Sequence, residues 1–227
     1  MFLRKAVALV FVLAWGATSA LAQQSFMQKV ELTPFAGVKV GGKINVTGGS
    51  GGTQCTSSPC VDNVLIKSGV DYGGMFDYSL WDNFQFEFLW MRQPSVLSTH
   101  DAISGQVNQI TDSKLDTFTF GATYDFRNPD ATVKPFITGG VGWTHFTNIH
   151  NPNDVDLGFS NGLTYDIGGG AKYYFSHHIG LRADIRYLFV RTTPSSAIEC
   201  GAFSCFQVPT HNHANQGAAN LGVIVRF

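Results

Sequence analysis

The stretch Asn220-Leu221-Gly222-Val223-Ile224-Val225-Arg226-Phe227 decides the fold. Side chains of a strand alternate between two faces. Leu221, Val223, Val225 and Phe227 therefore share one face, and Asn220, Gly222, Ile224 and Arg226 share the other. The segment reaches its last aromatic residue in mid-strand. In a soluble sheet that ring would face water. In a strand that closes a membrane barrel it would sit in the bilayer interface, where aromatic side chains are enriched. A closing strand of a barrel in lipid is the expected reading.

The opposite end agrees. Arg4 and Lys5 form a short basic region, and Ala6 to Trp15 is apolar but, at ten residues, too short to cross a bilayer as a helix. Ala20-Leu21-Ala22 matches a small-residue cleavage site. The expected organisation is a signal peptide over 1–22 and one barrel domain over 23–227; an uncleaved anchor is the alternative. Gln23 follows the expected cut, so no lipid-modified N-terminus is expected. Cleavage would leave 205 residues with a net charge of about −3. No basic tract is present, which argues against nucleic acid as a partner. No run of about 18 apolar residues offers a spanning helix. Yet 44% of residues are hydrophobic, 14% are charged, and there are 19 Phe and 25 Gly. That apolar content is spread through alternating segments, as a barrel in lipid requires.

Eight segments carry a period of two: Val30 to Val40, Ser68 to Leu80, Phe84 to Val96, Leu115 to Phe126, Lys134 to Thr147, Leu163 to Phe175, Ile179 to Arg191 and Ala219 to Phe227. Each is near the roughly nine to eleven residues that a tilted strand needs to cross a bilayer. The connections alternate in length. Gly41 to Lys67, Ser98 to Lys114, Asn148 to Gly162 and Thr192 to Ala218 are the longer ones; Trp81-Asp82-Asn83, Arg127 to Val133 and Ser176-His177-His178 are short. The expected fold class is all-β: an eight-stranded, antiparallel, up-and-down transmembrane barrel with long loops at one end and short turns and both termini at the other.

One face carries Phe84, Phe86, Phe88, Trp90, Phe118, Phe120, Tyr124, Phe126, Tyr165, Ile167, Tyr173, Phe175, Leu181, Ile185 and Tyr187. A soluble barrel would turn this face inward. Two features favour lipid: the aromatics look too bulky for the interior of eight strands, and they cluster near the turns as an interfacial girdle would. Trp81 and Phe227 are expected at the turn-side interface, Trp90 and Trp143 nearer the loop side. The other face carries Glu31, Lys39, Asp71, Asp77, Glu87, Asp166, Lys172, Arg182, Asp184, Arg186 and Arg226, with Thr117, Thr119 and Thr123. Enclosed charges need partners, and these signs nearly balance. Strand direction places Glu31, Asp77, Glu87, Lys172, Arg182 and Arg226 in the periplasmic half, where a hydrogen-bonded ion network is expected to plug the lumen; a gate or narrow ion path is the alternative.

Four cysteines fall in two loops, as Cys55-x4-Cys60 and Cys200-x4-Cys205. Export favours disulfides. Local pairing within each loop is expected; a bridge between the loops and a zinc site are the alternatives. His177 and His178 read as a polar turn, and His211 and His213 as loop residues in which a surface metal or pH-sensitive site is the minor reading. Asn151-Pro152-Asn153-Asp154-Val155-Asp156 lacks the spacing and closing Glu of a calcium loop. Gly139-Gly140 and Gly168-Gly169-Gly170 lie within strands and are expected to permit close packing or bending of the wall. No cofactor is expected.

Leu32-Thr33-Pro34-Phe35-Ala36-Gly37, Lys134-Pro135-Phe136-Ile137-Thr138-Gly139-Gly140-Val141-Gly142, Gly180-Leu181-Arg182-Ala183-Asp184-Ile185-Arg186-Tyr187 and the terminal Phe227 resemble the OmpA-like and OmpX/Ail-like outer-membrane β-barrel families. The resemblance covers nearly the whole expected mature chain. It implies a place in the outer membrane, lipid and lipopolysaccharide as surroundings, and Phe227 as the signal read by the barrel-assembly machinery. It implies envelope stability, adhesion or surface protection through an extracellular ligand, or narrow passage of small solutes. A monomer is expected. No peptidoglycan-binding segment of the OmpA pattern is visible, so cell-wall tethering is not expected. Some eight-stranded barrels act on lipid A with a His-Ser-acid set. Here His211 or His213, Ser204 and Glu199 fall in a loop rather than on a rigid strand, and the expectation is a non-enzyme.

Overall fold

The computed structural model describes residues 29–45, 61–101, 105, 107–126, 131–150, 161–192, 196–200, 205–209 and 213–227. The expected signal peptide, Cys55, Cys60, Ser204 and His211 lie outside the described residues. Among the described residues twelve strands are formed: β1 (Val30–Gly41), β2 (Lys43–Asn45), β3 (Val61–Ile66), β4 (Gly69–Trp81), β5 (Phe84–Asp101), β6 (Val107–Asp125), β7 (Val133–His150), β8 (Asn161–Tyr174), β9 (Ile179–Thr192), β10 (Ser196–Cys200), β11 (Cys205–Pro209) and β12 (His213–Arg226). Eight of them, β1, β4, β5, β6, β7, β8, β9 and β12, form the barrel wall. Each pairs antiparallel with its neighbour, and β1 closes the wall by pairing with both β4 and β12. Among the described residues there is no helix.

The wall extends further than the alternation indicates. The segment expected as a loop from Ser98 to Lys114 is largely a continuation of β5 and β6, paired from Val96↔Asp112 to His100↔Val107. β3 adds to this extension through Leu65↔Ser98, and β2 pairs with β3. β2 carries on from β1 after Gly41 and Gly42, whose φ values of 81° and 118° suit residues without a Cβ. Within the last long connection, β10 and β11 make a separate hairpin, and β12 begins at His213 rather than Ala219. The physical reason is common to these cases. Above the bilayer both faces of a strand meet water, so the contrast of side chains fades while the ladder of backbone hydrogen bonds continues.

Within the bilayer the two faces separate cleanly. Leu32, Val38, Phe86, Phe120, Ile137, Ile167, Ile185 and Leu221 are exposed on the outside; Glu31, Lys39, Asp77, Glu87, Lys172, Arg182 and Arg186 are buried. A register slip by one residue would invert this distribution for a whole strand. The wall is thin where glycine faces a neighbouring backbone: a Cβ on Gly142 would stand 1.8 Å from the Phe118 carbonyl oxygen.

Strand tilt turns the row of cross-strand partners into a rising spiral. Asp125, Phe136, Gly170, Asp184, Asn220, Gly37 and Asp71 are successive partners. The row starts beside Asn83, whose carbonyl accepts the Asp125 amide, and regains β5 beside Arg92, the partner of Tyr72. That climb, required of a closed tilted sheet, sets the depth of each side chain in the lumen. Asp125 lies near the turns and Asp71 near the loops.

Candidate functional site in the barrel lumen

At the turn end, Glu31 is the centre of the lowest polar layer. It accepts from Lys172 Nζ at 3.1 Å, from Tyr174 Oη at 2.8 Å and from Arg226 Nε at 3.0 Å. Lys172 also donates to Gln85 Oε1, and the Arg226 guanidinium lies 4.2 Å from the centre of the Tyr174 ring. One layer higher, Arg182 joins Asp77 at 3.0 Å to Glu87, with Phe136 beneath its guanidinium at 4.5 Å. Glu87 is shared. Arg186 reaches it at 2.8 Å and also holds Asp166 at 2.9 Å and Asp184 at 3.1 Å. Thr123 and Thr138 donate to the two Glu87 oxygens at 3.2 and 3.1 Å. The charges that are costly to enclose singly are thus enclosed as a connected set, with Thr123 and Thr138 on Glu87 and the Asn220 amide on Asp184 adding hydrogen bonds to it.

This network runs further up the barrel than strand direction indicates, because Arg186 draws in Asp166 and Asp184. It also includes groups that the alternation does not single out. Asp125 lies 4.0 Å from Lys172, and Tyr174 points inward. Lys134 is buried with its ammonium 5.0 Å from the Tyr174 ring. These three sit at strand ends beside the turns, where alternation gives way to turn composition. Lys39 and Asp71 are buried in the lumen but stand apart from the network. Lys39 Nζ and both Asp71 carboxylate oxygens have no hydrogen-bond partner. A cluster of Phe35, Met75, Leu89, Met91, Leu188 and Ala218 also fills part of the lumen. The interior therefore holds an apolar cluster as well as the polar network expected in its periplasmic half.

On the outside, Trp81 stands exposed at a turn and packs against Phe84 at 5.5 Å, with Phe175 and Phe227 exposed at the same end. Trp90 and Trp143 mark the other interface, with Trp143 stacked on Phe118 at 5.8 Å. Just above them runs an outward polar row of cross-strand partners, Tyr72, Arg92, Asp116, His145 and Asn161. Arg92 holds Asp116 through two hydrogen bonds of 2.6 and 2.8 Å, and His145 meets Asn161 at 2.8 Å. This row was not legible as a unit, since its members are single polar residues on five strands and only the register joins them. His177 and His178 are exposed in the turn, as a polar turn requires. Among the described residues no group of three or more His, Cys, Asp or Glu could hold a metal.

Comparison with known proteins gives the same architecture. The solid-state NMR structure of outer membrane protein AlkL in DMPC lipid bilayers covers 94% of this chain and 95% of its own, at 15% identity and a TM-score of 0.62. The outer membrane protein OprG from Pseudomonas aeruginosa covers 88% and 97%, at 16% identity and a TM-score of 0.61. At such identities the likeness establishes the fold alone. In sequence, the chain is 27% identical to outer membrane porin F of Pseudomonas aeruginosa over 125 residues, which is 55% of this chain and 33% of the porin. The chain thus spans about a third of the length of that curated relative. A family model, the outer membrane protein beta-barrel domain, matches residues 8–227. With a closed eight-stranded wall, aromatic rings at both interfaces and that match along nearly its whole length, the chain belongs to the outer membrane protein beta-barrel domain family, and its place is the outer membrane.

Proposed function

We propose that the chain is a non-enzymatic outer-membrane barrel whose work lies in its extracellular loops, in surface interaction or envelope support. The observation that carries this reading is the lumen. Arg182 and Arg186 are at most 1% exposed and bridge acids contributed by β4, β5, β8 and β9, so charged side chains cross the bore rather than line it. Eight strands leave little room beside them. Extension of β5, β6 and β7 beyond the aromatic rings lifts the loops away from the bilayer. β10 and β11 place Cys200 and Cys205 as direct cross-strand partners. Directly opposed strand residues have Cα atoms about 4.5–5.5 Å apart, within the range a disulfide spans. That register supports local pairing of Cys200 with Cys205, which would brace the hairpin. The outward row from Tyr72 to Asn161 suits the headgroup level of lipid and lipopolysaccharide, and exposed Phe227 suits recognition by the assembly machinery.

Planar-bilayer recording tests the lumen: a silent baseline is the expected result, and stable single-channel steps would overturn it. Such steps would favour the second reading, a narrow passage for small solutes, which the relative's name as a porin supports. The loops are tested by Cys200→Ser with Cys205→Ser. The variant is expected to keep the heat-modifiable mobility of a folded barrel while cell or matrix binding falls severalfold. Unchanged binding would remove the disulfide-braced hairpin from the interaction.

A further inference from the structure

The outer wall is not padded evenly with large side chains. Outward positions of β8, β9, β12 and β1 include Gly169, Ala171, Ala183, Ala219 and Ala36. Register sets them side by side. Ala171 pairs with Ala183, Ala183 with Leu221 and Leu221 with Ala36; in the next row Gly169 pairs with Ile185, and Ile185 with Ala219. These residues line a groove of about 790 Å³ in the lipid-facing wall, from which the exposed Ile185 and Leu221 project. The groove crosses four strands, a width of three interstrand spacings or roughly 14 Å. A single acyl chain is much narrower and would leave it part-filled.

The same strands carry positive charge above the groove. From Ala219, the outward face of β12 continues toward the loops through Gly217 and Asn215 to His213. His213 is the direct partner of Arg191, both are exposed, and the His213 ring stacks on Phe189 at 5.8 Å. The pair lies on the row that climbs from Trp143 through Leu163, which sets it above the loop-side aromatic ring, at headgroup level. Arg92 is held by Asp116, whereas Arg191 forms no ion pair among the described side chains. Nor does any acid share its face: Glu31, Asp166 and Asp184, the acids of β1, β8 and β9, are buried in the lumen, and β12 has none. An apolar groove in the outer half of the bilayer, capped by an unopposed cation, complements an anionic headgroup above acyl chains.

We propose that the outer face of β8, β9, β12 and β1 binds a phosphorylated lipid with several acyl chains, the lipid A moiety of lipopolysaccharide, with its chains in the groove and a phosphate on Arg191 and His213. Hydrocarbon surrounds the wall whether or not the site is filled, so burial of apolar area contributes little. Affinity comes from charge-assisted hydrogen bonds to the phosphate and from close packing of tethered chains over small residues. The inference rests on the membrane architecture and the lipid partner proposed above, and is independent of the loop function. Heat-modifiable mobility reports on the architecture and cell or matrix binding on the loops, so a failure of either is distinguishable from a failure of this site.

The test is native mass spectrometry of the full barrel in detergent micelles, titrated with bisphosphorylated lipid A and in parallel with phosphatidylglycerol. One retained lipid A per barrel is expected, with phosphatidylglycerol bound at least tenfold more weakly. Arg191→Gln is expected to weaken lipid A about tenfold, through loss of a hydrogen bond between charged groups. Ala219→Phe fills the groove from the lipid side and is expected to weaken it severalfold; Ala183→Leu takes its place if that variant does not fold. Ala122→Phe, on the outward face of β6 away from the groove, is expected to bind as the unaltered chain does. Equal affinity for phosphatidylglycerol would reduce the site to a general attraction for anionic lipid and overturns the proposal. Undiminished lipid A binding by folded Arg191→Gln or by the folded groove-filling variant, or an equal loss in Ala122→Phe, does the same.

Discussion

Arg182→Ala is expected to cost about 3–5 kcal/mol of barrel stability, because it removes one partner from an enclosed ion pair and leaves the other behind. Arg182 is the cation bonded to Asp77, whose Oδ2 it meets at 3.0 Å, and Asp77 Oδ1 already lacks a partner. Glu87 is better protected, since Arg186, Thr123 and Thr138 all remain bonded to it. Most of the loss should therefore trace to Asp77. The Phe136 ring would also lose the guanidinium packed on its face. Replacing both partners tests this partition. Arg182→Met combined with Asp77→Leu removes the pair without leaving a bare charge, and such exchanges are often neutral or stabilising. Urea unfolding followed by tryptophan fluorescence in lipid vesicles, analysed at constant slope, provides the comparison. A loss below about 1 kcal/mol for Arg182→Ala, or a double variant as unstable as the single one, would show that the network contributes no structural support of the kind argued here.

Much of this architecture is written into the alternation. The contrast between Phe84, Phe86 and Phe88 on one face and Gln85 and Glu87 on the other is imposed by lipid outside and enclosed charge inside, and it survives in the structure: Phe86 is exposed, Phe84 and Phe88 are partly exposed, and Gln85 and Glu87 are buried. The pairing of Arg182 with Asp77 and Glu87 follows from depth, because strand direction brings these three to similar levels from distant points of the chain. The signal fails wherever that contrast is lost. Leu89, Met91 and Leu188 face the lumen, yet Phe88-Leu89-Trp90-Met91 and Leu188-Phe189-Val190 read as continuous apolar runs. Eight strands leave the interior narrow enough for aliphatic side chains to fill it between polar layers. Lys39 and Asp71 were legible as inward charges, but that they lack hydrogen-bond partners was not, because alternation reports a face and says nothing of distance. The outward row from Tyr72 to Asn161 depends on the register of four strand pairs, which no single segment encodes.

The inside-out assignment has its most direct consequence at Ile185. It is 70% exposed on β9 and lies midway between Ile179, where the strand leaves the turn, and Arg191 near its loop end. Its cross-strand partners are Ala219 and Gly169, too small to shield a long side chain placed there. Lipid is then its solvent, and Ile185→Arg is expected to destabilise the barrel by about 2–4 kcal/mol, the cost of a cation near the bilayer midplane. Val40 is also outward-facing and 53% exposed, but it stands one residue before the Gly41 bend, where a long side chain reaches the headgroups. Val40→Arg should cost only about 0–1 kcal/mol. The difference between the two sites, measured by reversible urea unfolding in one lipid, isolates depth from the chemistry of the substitution. A barrel surrounded by water would tolerate Arg equally at both positions, since each is an exposed strand residue with no charge to meet. Equal stabilities would therefore place the apolar wall in water and contradict the membrane architecture; a gradient falling from Ile185 to Val40 follows only if the surroundings of the wall change from hydrocarbon to headgroup along the strand.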